Sequence, residues 1–246
     1  MARVAVIIPA AGRSERFGGG EKKPFVSLDG RPVWQRSAEL FWTRDEVTKV
    51  YLVIAPGDRD TFRSRFAHLI AFANAEVVDG GSERFESVAN ALARVPADVD
   101  LVAVHDAVRP LTPADRIDAV FAAAAEHGAA LLAVPAADTL KRVDADGRVT
   151  GTVPRAGLWQ AQTPQVFRRD WLADAYARRG TLGEAITDDA QLVEAAGYPV
   201  RVVPGSPANF KITTPADLEL AAAVLAARAA KAPPPAARPF GDEAKW

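Results

Sequence analysis

The chain contains no cysteine. That excludes disulfides, thiolate-held metals and a cysteine nucleophile, and it is compatible with the cytosol. Histidine is nearly as scarce: His68, His105 and His127 are the only three, and none stands at metal-ligand spacing from another. Neither sign of charge dominates, with 30 basic residues against 31 acidic. The overall electrostatics therefore give no reason to expect nucleic acid or an anionic membrane as partner. Long apolar runs are missing too. The alanine-rich stretches near 121–133 and 221–230 are short and interrupted by charges or breakers, which disfavours a bilayer span. The first residues lack the charged, apolar and small succession of a signal peptide. A soluble, cytoplasmic protein is expected, its function carried by local clusters of residues.

What is present suits one α/β domain, since 49% of the 246 residues are hydrophobic and can bury a substantial core. Val4 to Ile8 is a continuous apolar run, the pattern of a strand buried on both faces. It gives way at Pro9 to Ala10-Ala11-Gly12, then to Gly18-Gly19-Gly20 set among Arg13, Arg16, Lys22 and Lys23. Backbone N–H groups with cations beside them suit a polyphosphate. The spacing is neither that of a Walker A loop nor that of a dinucleotide fingerprint.

Downstream, strand and helix patterns alternate. Helices are expected from Pro32 to about Thr43, from an Asp58 cap to Phe72, from Glu83 to Val95, and from a Thr112 cap with Pro113 to Gly128. Strands are expected at Lys49 to Ala55, Ala75 to Val78, Asp100 to His105 and Ala130 to Val134. This alternation predicts a Rossmann-like domain over residues 1–231, with a mostly parallel central sheet, helices on both faces and ligands at the carboxyl ends of strands. At about 138–158 the rhythm breaks. Thr139 to Val143, an Asp146-Gly147 turn and Arg148 to Val153 read as a β-hairpin, either a projecting arm or an edge decoration. Helices follow at about 168–179 and 188–196, then a strand at Val200 to Val203 and a helix from Pro215 to Ala230. Residues 232–246 are a Pro-rich tail with the composition of a flexible segment.

Several clusters could carry chemistry. Asp106, at the carboxyl end of a strand and flanked by His105 and Arg109, is suited to ligating Mg²⁺ beside a triphosphate; His105 reads as structural. Gly80-Gly81 after a strand would let backbone groups approach a flat ligand such as a base, with Ser87 one turn into the helix. The same residues also read as a plain glycine turn with a capping serine. Arg155 and Lys211 are cations in loop-like contexts, suited to a second phosphate or simply solvated. No serine–histidine–aspartate order stands out, so positioning plus charge neutralisation is the chemistry these residues support.

From Val4 to about Leu225 the chain resembles the 2-C-methyl-D-erythritol 4-phosphate cytidylyltransferases of the nucleotidyltransferase superfamily. The resemblance is carried by Pro9-Ala-Ala-Gly12 with Arg16 and Lys23, Gly80-Gly-Ser-Glu-Arg-Phe-Glu-Ser-Val88 and His105-Asp-Ala-Val-Arg-Pro110. Asp138-Thr-Leu-Lys-Arg142, Thr163-Pro-Gln165, Ile186-Thr-Asp188 and Asn209-Phe-Lys211-Ile-Thr213 complete it. It implies the joining of CTP and 2-C-methyl-D-erythritol 4-phosphate, with release of pyrophosphate and Mg²⁺ as cofactor, on the non-mevalonate route to isoprenoid precursors. It further implies that Arg16 and Lys23 stabilise the pentavalent transition state, and that Ala10, Ala11, Gly12, Gly81, Ser82 and Ser87 enclose cytosine and ribose. By the same resemblance Asp106 would lie beside the ribose and Mg²⁺, and Ala107 would join the substrate-binding set. The resemblance also implies that Arg155 and Lys211 position the methylerythritol phosphate, with Arg109, Thr139 and Thr163 around it. The family is homodimeric through clasped hairpin arms, so Thr139 and Arg155 would serve the partner's site. Two other readings are a cytidylyltransferase for another polyol phosphate, such as ribitol 5-phosphate, and a nucleotide-binding regulator without turnover. Where family members carry Pro-Lys-Gln before an aromatic, this chain has Lys22-Lys23-Pro24-Phe25. Phe25 sets the register on Lys23, with Lys22 the competing choice. Ser82 stands where some members have Asp.

Overall fold

The computed structural model describes residues 1–12, 22–181 and 186–231. The expectations on Arg16, on Gly18 to Gly20 and on the Pro-rich tail fall outside the described residues.

Strand β1 (Val4–Pro9) lies near the centre of a seven-stranded sheet with β4 (Val47–Ile54), β5 (Ala75–Asp79), β6 (Leu101–Val104), β7 (Ala129–Pro135), β10 (Trp159–Arg168) and β11 (Arg201–Pro204). Their order is β11-β7-β10-β6-β1-β4-β5. Every pairing is parallel except those of β10, which runs antiparallel to both β6 and β7. Side chains alternate across a strand, and β1 divides its residues accordingly. Val4, Val6 and Ile8 join Trp34, Phe41, Phe62 and Phe66 on one face. Ala5 and Ile7 join Val88, Leu92 and Leu172 on the other. Both faces are thus dry, which is why the run in sequence is continuous rather than alternating.

The helices are α1 (Val33–Glu39), α2 (Arg59–Phe72), α3 (Arg84–Leu92), α4 (Ala114–His127), α5 (Arg169–Ala177), α6 (Asp189–Ala195) and α7 (Pro215–Lys231). Helices α1, α2 and α4 cover the first face and α3, α5 and α6 the second. This is the doubly covered, mostly parallel sheet that the alternation predicts. A third apolar cluster, built on Leu28, Val33, Leu111 and Ile212, packs α7 against the loop that follows β6. Among the described residues no helix is long and apolar enough to cross a membrane.

Several local expectations are corrected. A small antiparallel pair, β2 (Ser27–Leu28) and β3 (Arg31–Pro32), precedes α1, and α1 stops at Glu39 rather than near Thr43. Helix α3 stops at Leu92, short of Val95. Asp58 occupies the N-cap position of α2 without a capping bond; its carboxylate accepts instead from Lys22 Nζ at 2.6 Å. Thr112 does not cap α4, whose N-cap position is Pro113, because the Thr112 hydroxyl donates to Asn209 Oδ1 at 2.8 Å. Strand β10 was hidden by polarity. Gln162, Thr163 and Gln165 are buried within it, and a buried amide is acceptable only when its hydrogen bonds are made. Gln165 makes them with Asp188 and the Ala190 amide, and Gln162 with the Ser206 carbonyl.

The hairpin forms as expected. Strands β8 (Leu140–Val143) and β9 (Val149–Val153) pair only with each other in a separate two-stranded sheet. Asp144 closes the turn by accepting from the amides of Asp146 and Arg148, with Gly147 at φ +80°. Val143, Val149, Leu158 and Trp159 are exposed on and beside it.

Candidate active site

The carboxyl ends of β1, β5 and β6 converge on one cavity of about 230 Å³, walled by residues 9–12, 81–84 and 107–108 together with Lys23, Ser87, Lys211 and Ile212. Its position follows from strand polarity, since loops leaving the carboxyl ends of parallel strands meet at the same edge. Ala10, Ala11, Gly12, Lys23, Gly81, Ser82, Ser87, Ala107 and Lys211 all line it. Nine of the residues singled out from the sequence therefore share one cavity.

The glycine loop is shaped by close approach. A Cβ on Gly80 would stand 2.5 Å from the Ala11 Cβ and 2.9 Å from the Ser87 Oγ; one on Gly81 would stand 2.3 Å from the Glu86 Cβ. Only glycine lets residue 80 lie against Ala11 and residue 81 against Glu86. Ser87 then staples the loop, its Oγ accepting from the Gly81 amide at 3.1 Å and donating to the Glu83 carbonyl at 3.2 Å. Glu83 and Glu86 form a capping box at the start of α3. The Ser82 hydroxyl is drawn into it, donating to Glu86 Oε2 at 2.6 Å.

Asp106 anchors the electrostatics. Its Oδ2 meets Lys211 Nζ at 3.1 Å and Arg109 Nε at 3.2 Å, and its Oδ1 faces Arg84 Nε at 3.6 Å. Burial alone would push this carboxyl up, but Lys211, Arg84 and Arg109 outweigh it and hold it well below the usual carboxylate range. Lys211, expected as an unpaired cation, is instead tied to this carboxylate. Arg84 was not singled out as a site residue. It lies within a quoted motif, but the pattern gave no sign that its side chain would reach two carboxylates. Asn209 was missed in the same way: fully buried, it donates to the Thr163 carbonyl at 2.9 Å and takes the Thr112 hydroxyl. Its carbonyl also accepts from Arg109 Nη1 at 2.7 Å, so it ties the Lys211 segment to the Asp106 loop.

Behind Asp106 lies His105, whose ring hydrogen bonds define its tautomer. Nε2 contacts the Arg109 carbonyl at 3.0 Å and must donate; Nδ1, 3.2 Å from Thr163 Oγ1, therefore accepts. The Thr163 oxygen in turn accepts from the Asp106 amide at 3.0 Å. Burial lowers the His105 pKa to about 4 against the pull of Asp106, so the ring is neutral at pH 7. Asp106, Arg109 and Thr163 are thus not among the residues that line the cavity: Asp106 stands just behind the wall, paired with the lining Lys211 and Arg84, with Arg109 beside it and Thr163 behind it. Thr139 and Arg155 lie exposed on the arm and do not line the cavity of their own chain.

Lys22 and Lys23 part company. Lys23 faces the cavity, whereas Lys22 is paired with Asp58 on α2. Among the described residues no group of three or more metal-ligating side chains occurs. A site with one carboxylate still fits Mg²⁺, which takes one or two carboxylates and draws its remaining oxygens from phosphates and water. Asp106 Oδ1, with no cation closer than 3.6 Å among the described residues, is the oxygen suited to that role.

Comparison with known proteins agrees with this geometry. Residues 4–227 match the family model described as IspD: 2-C-methyl-D-erythritol 4-phosphate cytidylyltransferase. A protein of that name from Frankia casuarinae is 50% identical over 225 residues, covering 91% of this chain and 82% of its own. Among solved structures, the 2-C-methyl-D-erythritol 4-phosphate cytidylyltransferase of Thermus thermophilus superposes with a TM-score of 0.75 at 34% identity, over 90% of this chain and 98% of that one. The 4-diphosphocytidyl-2C-methyl-D-erythritol synthase of Anaerococcus prevotii gives 0.77 at 29% identity, over 92% and 96%. With the fold, the cavity and these matches in agreement, the chain belongs to the IspD family of 2-C-methyl-D-erythritol 4-phosphate cytidylyltransferases.

Proposed function

We propose that the enzyme transfers the cytidylyl group of CTP to 2-C-methyl-D-erythritol 4-phosphate, giving the CDP-linked methylerythritol and pyrophosphate on the non-mevalonate route to isoprenoid precursors. The observation that carries this reading is Asp106, a buried carboxylate beside the cavity, met by the cavity-lining Lys211 and Arg84 and by Arg109, with residues 10–12, Gly81 and Ser82 on the wall of the same cavity, in a chain of this family. An oxygen of the polyol phosphate attacks the α-phosphorus in line, a new P–O bond forms, and the bond to the β-phosphate oxygen breaks as pyrophosphate leaves. A phosphate nucleophile is already deprotonated at neutral pH, so no general base is needed.

The chain's own residues bind, orient and neutralise. The backbone of Ala10, Ala11 and Gly12, with Gly81, Ser82 and Ser87, encloses cytosine and ribose. Lys23, together with Arg16, meets the charge that develops on the α-phosphorus. Asp106 would hold Mg²⁺, which when bound neutralises phosphate charge and favours the leaving group. Lys211, with Arg109 and Thr163 supporting the same loop, orients the polyol phosphate. Arg155 and Thr139 complete the site from the arm of a second copy, in a cytoplasmic homodimer clasped through the hairpins.

Release of pyrophosphate from CTP with each polyol phosphate tests the reaction. Methylerythritol phosphate should be strongly preferred. A preference for ribitol 5-phosphate, or CTP binding without turnover, would overturn it. Mixing tests the arm. Lys23→Ala and Arg155→Ala chains, each inactive alone, should regain about a quarter of the wild-type rate when recombined, because half of the dimers then carry one intact composite site. No recovery would place Arg155 with its own chain's site or with none.

A further inference from the structure

We propose that Arg84 is a positioning residue for CTP: paired from behind with Asp189 of α6, it faces Asp106 from the Oδ1 side and helps balance its charge without occupying that oxygen. The inference rests on the reaction proposed above. Arg84 is the first residue of α3, immediately after the glycine loop, and its side chain lines the cavity. Its Nη1 meets Asp189 Oδ2 at 2.8 Å while its Nε faces Asp106 Oδ1 at 3.6 Å. Asp189 is 1% exposed, and its second oxygen takes the Tyr176 hydroxyl at 2.6 Å. Burial pushes the Tyr176 phenol up and the adjacent carboxylate pushes it further, so the phenol is the donor. The resulting order, Tyr176 to Asp189 to Arg84 to Asp106, joins α5, α6, α3 and the end of β6.

The arrangement solves an electrostatic problem. Asp106 is a buried anion beside a cavity that must admit a triphosphate, and whatever charge on it is left unbalanced would repel the nucleotide. Lys211 and Arg109 both sit on Oδ2; Arg84 is the cation facing Oδ1. A planar fork can address two carboxylates at once, which the point charge of a lysine cannot. Asp189 keeps that fork from swinging into the nucleotide's place.

The test compares Arg84→Gln, Asp189→Asn, their double variant, Arg84→Lys and Tyr176→Phe. CTP binding is read by calorimetry in the presence of a chelator, and both KM values by turnover with magnesium. Breaking the Arg84–Asp189 ion pair should weaken CTP binding about tenfold in Arg84→Gln and in Asp189→Asn. Because the two residues act as a unit, the double variant should be no worse than the poorer single. Arg84→Lys should fail to rescue, Tyr176→Phe should shift CTP binding in the same direction by less, and the KM for the polyol phosphate should hold within about twofold. Unchanged CTP binding in folded Arg84→Gln, additive losses in the double variant, or an equal rise in both KM values would each overturn the proposal. If Arg84→Gln does not fold, unchanged CTP binding in Tyr176→Phe overturns it instead. A wild-type enzyme that binds CTP without turnover refutes the reaction and leaves the binding arm of this test intact.

Discussion

His105 should make stability fall steeply in mild acid, before the carboxylates titrate. The ring is fully buried, donates through Nε2 to the Arg109 carbonyl and accepts at Nδ1 from Thr163, so a second ring proton would face a hydroxyl already oriented to donate. Its pKa is lowered to about 4 by burial, while in the unfolded chain it returns to about 6.5. Between those values the unfolded state binds the extra proton, and stability therefore declines as pH falls. At one proton the slope is about 1.4 kcal/mol per pH unit, and the loss between pH 7 and pH 4 is about 3 kcal/mol. Asp106 acts in a separate window, because its depressed pKa contributes stability that is lost only as pH falls through and below the ordinary carboxylate range. Urea unfolding at fixed protein concentration, at pH 7, 6, 5 and 4.5, gives the curve for the wild type and for His105→Gln. Glutamine can still donate to the Arg109 carbonyl but does not titrate. The variant should be less stable at pH 7 by about 1–2 kcal/mol and should have lost most of the excess slope. Parallel curves for the two proteins would refute the reasoning.

The lysine pair should separate cleanly in kinetics. Lys23→Ala should lower kcat by about a hundredfold or more, as the loss of a group aimed at developing charge does, whereas Lys22→Ala should leave turnover nearly intact. The Lys22–Asp58 pair is substantially exposed, so its loss should cost no more than about 1 kcal/mol in urea unfolding. Comparable loss of kcat in both variants would show that the two lysines share the work. Gly80→Ala should destabilise by about 1–3 kcal/mol through overpacking against Ala11 and Ser87. It should also weaken CTP binding in calorimetry, since the displaced wall is the nucleoside pocket; unchanged affinity would count against that assignment.

The strands that pack on both faces were legible because burial leaves a continuous apolar signature, as in β1, β4 and β6. The hairpin was legible through its Asp-Gly turn. Helix caps were not. Asp58 and Thr112 stand at positions where capping is the local expectation, yet a lysine and a buried asparagine, distant in sequence, outcompete the helix for them. In the cavity, the small lining residues such as Ala10, Ser82 and Ala107 were found through the family resemblance, because a glycine or small residue after a strand reads equally well as a plain turn. The side chains that organise the cavity's charge were not, because Arg84 on the wall, and Asp189 and Asn209 behind it, acquire meaning only through partners that lie far away in sequence.

Strand β10 shows why that hidden layer matters. In an all-parallel sheet the position between β6 and β7 would deliver another carboxyl-end loop to the cavity edge. The antiparallel β10 instead runs its middle past the Asp106 loop, bringing Gln162, Thr163 and Gln165 to it from behind. Each then buttresses a different part of the site. Thr163 holds the Asp106 amide, and Gln162 holds Asn209, two residues from Lys211. Gln165 bonds Asp188 and the Ala190 amide, on either side of the Asp189 that anchors Arg84. Three polar residues that weaken a strand pattern thereby brace a carboxylate and two of its cations against repulsion and solvation. The reversal of this strand is what lets a charge-rich cavity be pre-organised before nucleotide arrives, and pre-organised charge is the part of this chemistry a protein can supply.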